Sequence, residues 1–425
     1  MNRALAFLLV SLLLAACADA PADREITFTT DAAHTPAVAH DAQNGTTYVA
    51  WISRDGEDAN VYLSTLTDRA ATPGEPVRVN DVDGDANPHE QAPVRLAVGA
   101  DGEGYVAWTN AKEVEGRRFP ASDLRFARST DGGATFTPAV TVNDGRPDDP
   151  PTSQSFHDMT VGPDGTLFFS WLDSRARDRA RAAMEGGHAQ NVSHARDDHG
   201  DHDHHVGHGA HDMPGTQVRV SRSEDGGQNF TTSMVLAENT CECCRTAIRT
   251  DSNGTVYVVW RHKFDDNIRD IAVMRSDDGG ASFTEPRRVH ADGWHVDGCP
   301  HSGPAVAIDA EDRLHVAWFT GAEGCDGLYY ASSDTGGEAF GTPQRLAQDS
   351  RTIQSSIINV ASLGSVVAWP NRSTGTVHVG SLSDNGQETA SLMQVEDGSQ
   401  PVLTADGDRT LLVYRGAQGL FGRWL

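Results

Sequence analysis

Ser129-Thr130-Asp131-Gly132-Gly133-Ala134-Thr135-Phe136 is the stretch on which the fold turns, because the chain repeats it. Residues 223 to 230 read Ser-Glu-Asp-Gly-Gly-Gln-Asn-Phe, and residues 276 to 283 read Ser-Asp-Asp-Gly-Gly-Ala-Ser-Phe. A fourth copy, Ser333 to Phe340, keeps the frame with Thr335 at the aspartate position. The glycines allow the positive φ of a tight hairpin, the serine and aspartate oxygens bond turn amides, and the aromatic plugs the turn onto a sheet. Asp131, Asp225 and Asp278 are therefore read as structural rather than catalytic.

Around these turns runs a second repeat, of strands ending in an aromatic residue. Its seven occurrences end at Trp51, Trp108, Trp171, Trp260, Trp318, Trp369 and Tyr414. The unit is a strand, a Gly/Asp/Asn turn, the aromatic-ended strand, a variable loop, a third strand, the tight turn and a fourth strand. Such periodicity means that each unit stacks on its neighbours.

The tight turns match the pattern S-x-D-x-G-x-x-[FW], and in this the chain resembles the Asp-box (BNR) repeat of the sialidase-like β-propellers over nearly all of residues 26–425. The resemblance implies one all-β propeller domain of four-stranded antiparallel blades with very little helix. Seven blades follow from the aromatic strand ends; six is the alternative, as in the sialidases proper. The last repeat offers three strands, Pro401–Thr404, Thr410–Tyr414 and Leu420–Leu425. The N-terminal strand Glu25–Thr29 can supply the fourth, closing the ring and removing its open edges.

Ahead of the ring, residues 1–17 read as a lipoprotein signal. Asn2-Arg3 gives a positive start, Ala4 to Leu14 is apolar, and Leu14-Ala15-Ala16-Cys17 resembles a lipobox with Cys17 as the acylated residue. Residues 18–25 read as a tether. The expectation is a propeller held by its lipid anchor, periplasm-facing or on the cell surface. A formal charge of −26 argues against nucleic acid as a partner and limits membrane contact to the anchor.

In a blade that runs outwards from the axis, the loop leading into each first strand and the loop between second and third strands share one face. The tight turns lie on the other. Cys241, Cys243 and Cys244 precede the first strand of the fourth blade, Cys299 precedes that of the fifth, and Cys325 lies between its second and third strands. All five remaining cysteines are thus expected on one face, with His157, His262, His295 and His301. Residues 173–216 form an insertion on the same face, holding His199, His202, His204, His205, His208 and His211 among others. It reads as a mobile, weak metal collector without regular structure.

Thiolate and imidazole donors suit copper or zinc. Cys241, Cys243, Cys244 and Cys299 are the candidate ligands, with Cys325 and His301 as further members, for handling the metal or delivering it to a periplasmic protein partner. Disulfides bracing the loops of a protein-binding scaffold are the alternative, although adjacent Cys243 and Cys244 rarely both find good disulfide geometry. A redox-active Cys241/Cys244 pair is a third.

The sialidase resemblance also implies an enzymatic reading, an exo-sialidase or glycoside hydrolase on anionic sugars. Its tyrosine nucleophile, acidic partners and arginine clamp cannot be placed residue by residue. Tyr414 is the one tyrosine expected to reach the mouth, and Arg245, Arg261, Arg372 and Arg415 are candidates for binding an anion there.

Overall fold

The computed structural model describes residues 25–67, 72–117, 120–191, 213–348, 355–360, 362–383 and 387–425. These form seven four-stranded antiparallel sheets. In the first blade Ala33–Asp41, Thr46–Asp55, Asp58–Thr67 and Val77–Arg78 follow one another from the axis outwards. The seventh combines Ser399–Asp406, Arg409–Arg415 and Leu420–Trp424 with the N-terminal strand Ile26–Thr29, which pairs with Leu420–Trp424. The ring is therefore closed between its two ends, as the incomplete last repeat requires.

The second strands explain why the chain shows apolar runs instead of alternation. Gly104–Thr109, Val256–Arg261 and Leu314–Thr320 are buried at every residue, because each is covered on both faces by adjoining blades. The core accordingly lies between blades: Tyr257 and Val259 of the fourth pack with Val306, Leu314 and Trp318 of the fifth. Several repeated tryptophans use their indole N–H to hold the loops above them. Trp108 donates to the Asp85 carbonyl, Trp171 to Gln154 and Trp318 to Asp292. Outermost strands such as Val140–Thr141 and Arg287–Arg288 have only two residues, which blunts the exposed edge.

The tight turns form as their sequence implies. Ser129 Oγ accepts from Gly133 N at 2.9 Å, and Asp131 accepts from Thr135 N at 2.9 Å; the second and third copies repeat both bonds. Gly227 has φ +84°, and a Cβ there would lie 2.1 Å from Phe126 Cε1, so any other residue would strain the turn and displace the ring.

The insertion departs from expectation. Arg175–Asn191 is an α-helix, not an irregular loop. Its sequence, Arg-Ala-Arg-Asp-Arg-Ala-Arg-Ala-Ala-Met, is made of good helix formers, a signal obscured by the histidine-rich composition that follows. Ion pairs pin its first turns: Arg175 with Asp173 and Asp144, and Arg179 with Asp149. His199, His202, His204, His205, His208 and His211, like Cys17, lie outside the described residues.

Candidate metal centre

The thiol loop is held at both ends. Cys241 N donates to the Arg261 carbonyl at 3.3 Å, and Thr246 N donates to the Phe156 carbonyl at 2.9 Å just before strand Ala247–Thr250 begins. Between these points Cys241, Cys243 and Cys244 are all buried. Their sulfurs stand 3.3 Å (Cys241–Cys244), 3.9 Å (Cys241–Cys243) and 4.0 Å (Cys243–Cys244) apart. A disulfide needs about 2.05 Å. Two thiolates on one tetrahedral ion with bonds of about 2.3 Å lie about 3.8 Å apart. Cys243 stands at that spacing from both of its partners, Cys241 and Cys244 stand somewhat closer, and all three sulfurs are too far apart for a disulfide.

Positive charge surrounds them. Arg269 Nη1 donates to Cys241 Sγ at 3.5 Å, and Ser302 N donates to Cys244 Sγ at 3.4 Å. Hydrogen bonding with Cys243 and Cys244, and then the charges of Arg261 and Arg269, hold Cys241 far below the ordinary thiol range despite its burial. Cys243 is pushed up by its bond to Cys241, and Cys244 by burial and then by its own contact with Cys241. Negative charge on Cys241 is thus favoured over charge on either of its two neighbours.

Cys243 also belongs to a second set. Its sulfur and the donor atoms of Cys299 and His301 lie within 4.8 Å of one another, and Cys299 and His301 are both exposed. His301 has φ 51°, the left-handed region that non-glycine residues rarely occupy. Cys325 takes a different place. Its loop is on the same face, but its side chain packs with Trp294, Phe319, Ala322 and Val296. His157 is fully buried, and burial followed by the nearby Arg95 charge pushes its imidazole down to about 3. His262 packs edge-on against Trp260 and Phe264.

The insertion helix reaches this loop, since Arg177 pairs with Glu242, the residue between Cys241 and Cys243. The chain that carries the histidine-rich stretch is therefore docked beside the thiols at its helical base.

A second feature lies on the axis. A cavity of about 70 Å³ is lined by every innermost strand, for instance by Pro36, Arg95, Asp158, Arg249, Val306, Ile357 and Val402. Asp158 pairs there with Arg95 at 3.1 Å and Arg249 at 2.7 Å. Burial raises its carboxyl, but Arg249 and Arg95 outweigh that and keep it ionised. Arg245 reaches the same cavity and donates to the Ser355 carbonyl at 2.9 Å. Burial and then the Arg95 charge lower its guanidinium to about 9.

Of the four arginines expected to bind an anion, only Arg245 lines this cavity. Arg261 is committed to the carbonyls of Ser302, Arg269 and Phe319 and lies over the Trp294 ring. Arg372 pairs with Glu90 at 2.9 Å on the surface, and Arg415 is half-buried and acts on His34. Tyr414, expected at the mouth, is buried and donates its hydroxyl to Glu25, beside Arg423. Arg95, Asp158 and Arg249 were not singled out by sequence. Their signal is a charge inside a short apolar strand, as in Arg-Leu-Ala-Val and Ala-Ile-Arg-Thr.

No protein-family model matches the chain, and no curated protein matches it in sequence. Solved structures do. A protein of unknown function from Dyadobacter fermentans is 13% identical with TM-score 0.50, over 95% of this chain and 99% of that one. The Hadza microbial sialidase Hz136 is 16% identical with TM-score 0.51, over 84% of this chain and 64% of that one. The α-L-arabinanase of Penicillium chrysogenum, solved with arabinobiose, is 15% identical with TM-score 0.50, over 95% of this chain and 97% of that one. At such identities a likeness speaks for architecture alone. The chain has the fold of the sialidase-like propellers, with seven blades.

Proposed function

We propose that this propeller is an exported, lipid-anchored protein that binds a soft metal ion, copper first among the candidates, through the thiolates of Cys241, Cys243 and Cys244. It handles the ion by sequestration or by delivery to a periplasmic protein partner. The observation that carries the reading is the buried group of three sulfurs, 3.3 to 4.0 Å apart, with Arg269 donating to one of them. Soft thiolates select Cu(I) and zinc over hard cations, and burial protects such a site from solvent. The test is elemental analysis with thiol titration on anaerobically purified protein loaded with copper or zinc. Stoichiometric metal is expected, and its loss in Cys243→Ser and in Cys244→Ser. A loaded protein without metal and with oxidised cysteines would overturn the reading in favour of a scaffold braced by disulfides.

The axial cavity favours a second reading, an anionic ligand, because Arg95, Arg245 and Arg249 face one carboxylate there. As a glycoside hydrolase on anionic sugars the protein would turn over a fluorogenic sialoside. Tyr414, engaged with Glu25 and absent from the cavity lining, speaks against that chemistry.

A further inference from the structure

The thiol group described above accounts for Cys241, Cys243 and Cys244 but leaves Cys299 and His301 unexplained. These two are contributed by the loop leading into the fifth blade, and both are exposed. They share one neighbour with the buried set: Cys243, whose sulfur lies within 4.8 Å of the Cys299 sulfur and of a His301 ring nitrogen. Cys243 Sγ is also 3.9 Å from Cys241 Sγ and 4.0 Å from Cys244 Sγ. One side chain is thus common to an outer set, thiolate–thiolate–imidazole, and an inner set of three sulfurs.

The two sets differ in what they favour. The inner one is buried beside Arg269, whose Nη1 bonds Cys241 Sγ, so it stabilises negative sulfur and a tightly held ion. The outer one has two exposed members and one imidazole, fewer soft charged donors, and access for a carrier molecule. The approach to the inner set from the Ser302 side is closed, since Ser302 N donates to Cys244 Sγ and Ser302 is itself buried.

We infer that Cys243, Cys299 and His301 form a receiving position for a soft monovalent ion, from which the ion passes to Cys241 and Cys244 while staying bonded to Cys243. This rests on the proposed metal-binding function and adds the route by which the site is filled. In the transfer the bonds to Cys299 Sγ and the His301 nitrogen break and bonds to Cys241 Sγ and Cys244 Sγ form. The Cys244 thiol proton leaves to water, Cys299 recovers a proton from water, and the oxidation state of the ion does not change. Exchange that keeps one ligand throughout never releases a free ion, which is why a shared cysteine suits the task.

The experiment uses Cu(I) presented anaerobically as its complex with a chromophoric bidentate chelator, following loss of chelator colour in stopped flow and the final equilibrium separately. The full-length protein is compared with Cys299→Ser/His301→Ala and, on the same face, Cys325→Ser. The double variant is expected to load at least tenfold more slowly while its final affinity stays within about threefold, because the inner ligands are untouched. Cys325→Ser should change neither quantity. Both substituted residues are exposed, so an unchanged circular dichroism melt establishes that the fold is retained. An unaltered loading rate would overturn the inference and leave the metal site standing. A hundredfold loss of affinity would overturn it too, by making Cys299 and His301 ligands of a single site. Failure of the unmodified protein to take Cu(I) at all would instead remove the underlying function.

Discussion

Replacing Arg269 with glutamine tests the thiol centre without touching a sulfur. The Arg269 guanidinium lies 3.5 Å from Cys241 Sγ and the residue is 8% exposed. Two unit charges at that distance attract by about 5 kcal/mol if the effective dielectric constant is about 20. Much of that is offset by the cost of keeping a guanidinium out of water, and groups that support metal ligands in this way contribute about 10–100-fold in affinity, or about 1.4–2.7 kcal/mol. Glutamine retains a donor and most of the length but not the charge. Arg269→Gln should therefore weaken Cu(I) or zinc binding by about 10–100-fold, read by competition with a chelator of known affinity. The fold should survive, since Arg269 N still donates to the Trp294 carbonyl at 2.8 Å. Because the pair is buried, the loss should persist at high salt. Affinity within twofold of the parent, in a variant that melts normally, would mean that Cys241 carries no charge in the bound state and that the thiols are not ligands.

Other consequences concern the ring itself. Asp158→Asn leaves Arg95 and Arg249 facing each other without their shared carboxylate, and urea unfolding should show a loss of about 3 kcal/mol; an unchanged midpoint would mean that the cavity supplies its own counter-charge. Gly227→Ala adds a Cβ 2.1 Å from Phe126 Cε1 at φ +84° and should cost about 2–4 kcal/mol, whereas Gly279→Ala, at φ +68° with nothing within 4 Å, should cost only about 1–2 kcal/mol. Equal effects at the two sites would refute the packing argument. His157 is held neutral, with its pKa lowered from 6.5 to about 3, so the unfolded chain takes up the proton first. Its contribution is present above about pH 6.5 and lost as pH falls towards 3, at up to about 1.4 kcal/mol per pH unit. The slope of unfolding free energy between pH 6 and 4 should fall in His157→Asn, and an identical slope would exclude this histidine as the cause.

How much of this was readable beforehand depended on whether a signal repeats. The tight turns and aromatic strand ends occur several times in register, so seven blades are favoured over six and closure by the N-terminal strand is expected, and the structure has both. The helix Arg175–Asn191 occurs once, and the histidine bias downstream of it masked a short run of good helix formers. Blade topology brought Cys241, Cys243, Cys244, Cys299 and His301 to one mouth, because loop position sets the face. It could not separate Cys325 from them, since that depends on how Trp294 and Phe319 pack beneath its loop. The axial charges were hidden for a related reason: Arg95 and Arg249 sit in strands, and which strand residues point to the axis is fixed by register, not by composition.

Closure of the ring by Ile26–Thr29 also gives the molecule an orientation. Ile26 stands opposite Gly422 and Thr29 opposite Leu420, and Leu420 is where the chain descends from the face that carries the thiol loops. Glu25 therefore sits about midway down the outer side of the blade, bonded to Arg423 and Tyr414. The chain thus enters the ring from its outer edge, on the seventh blade, and the fourth and fifth blades that carry the thiol loops stand apart from that entry.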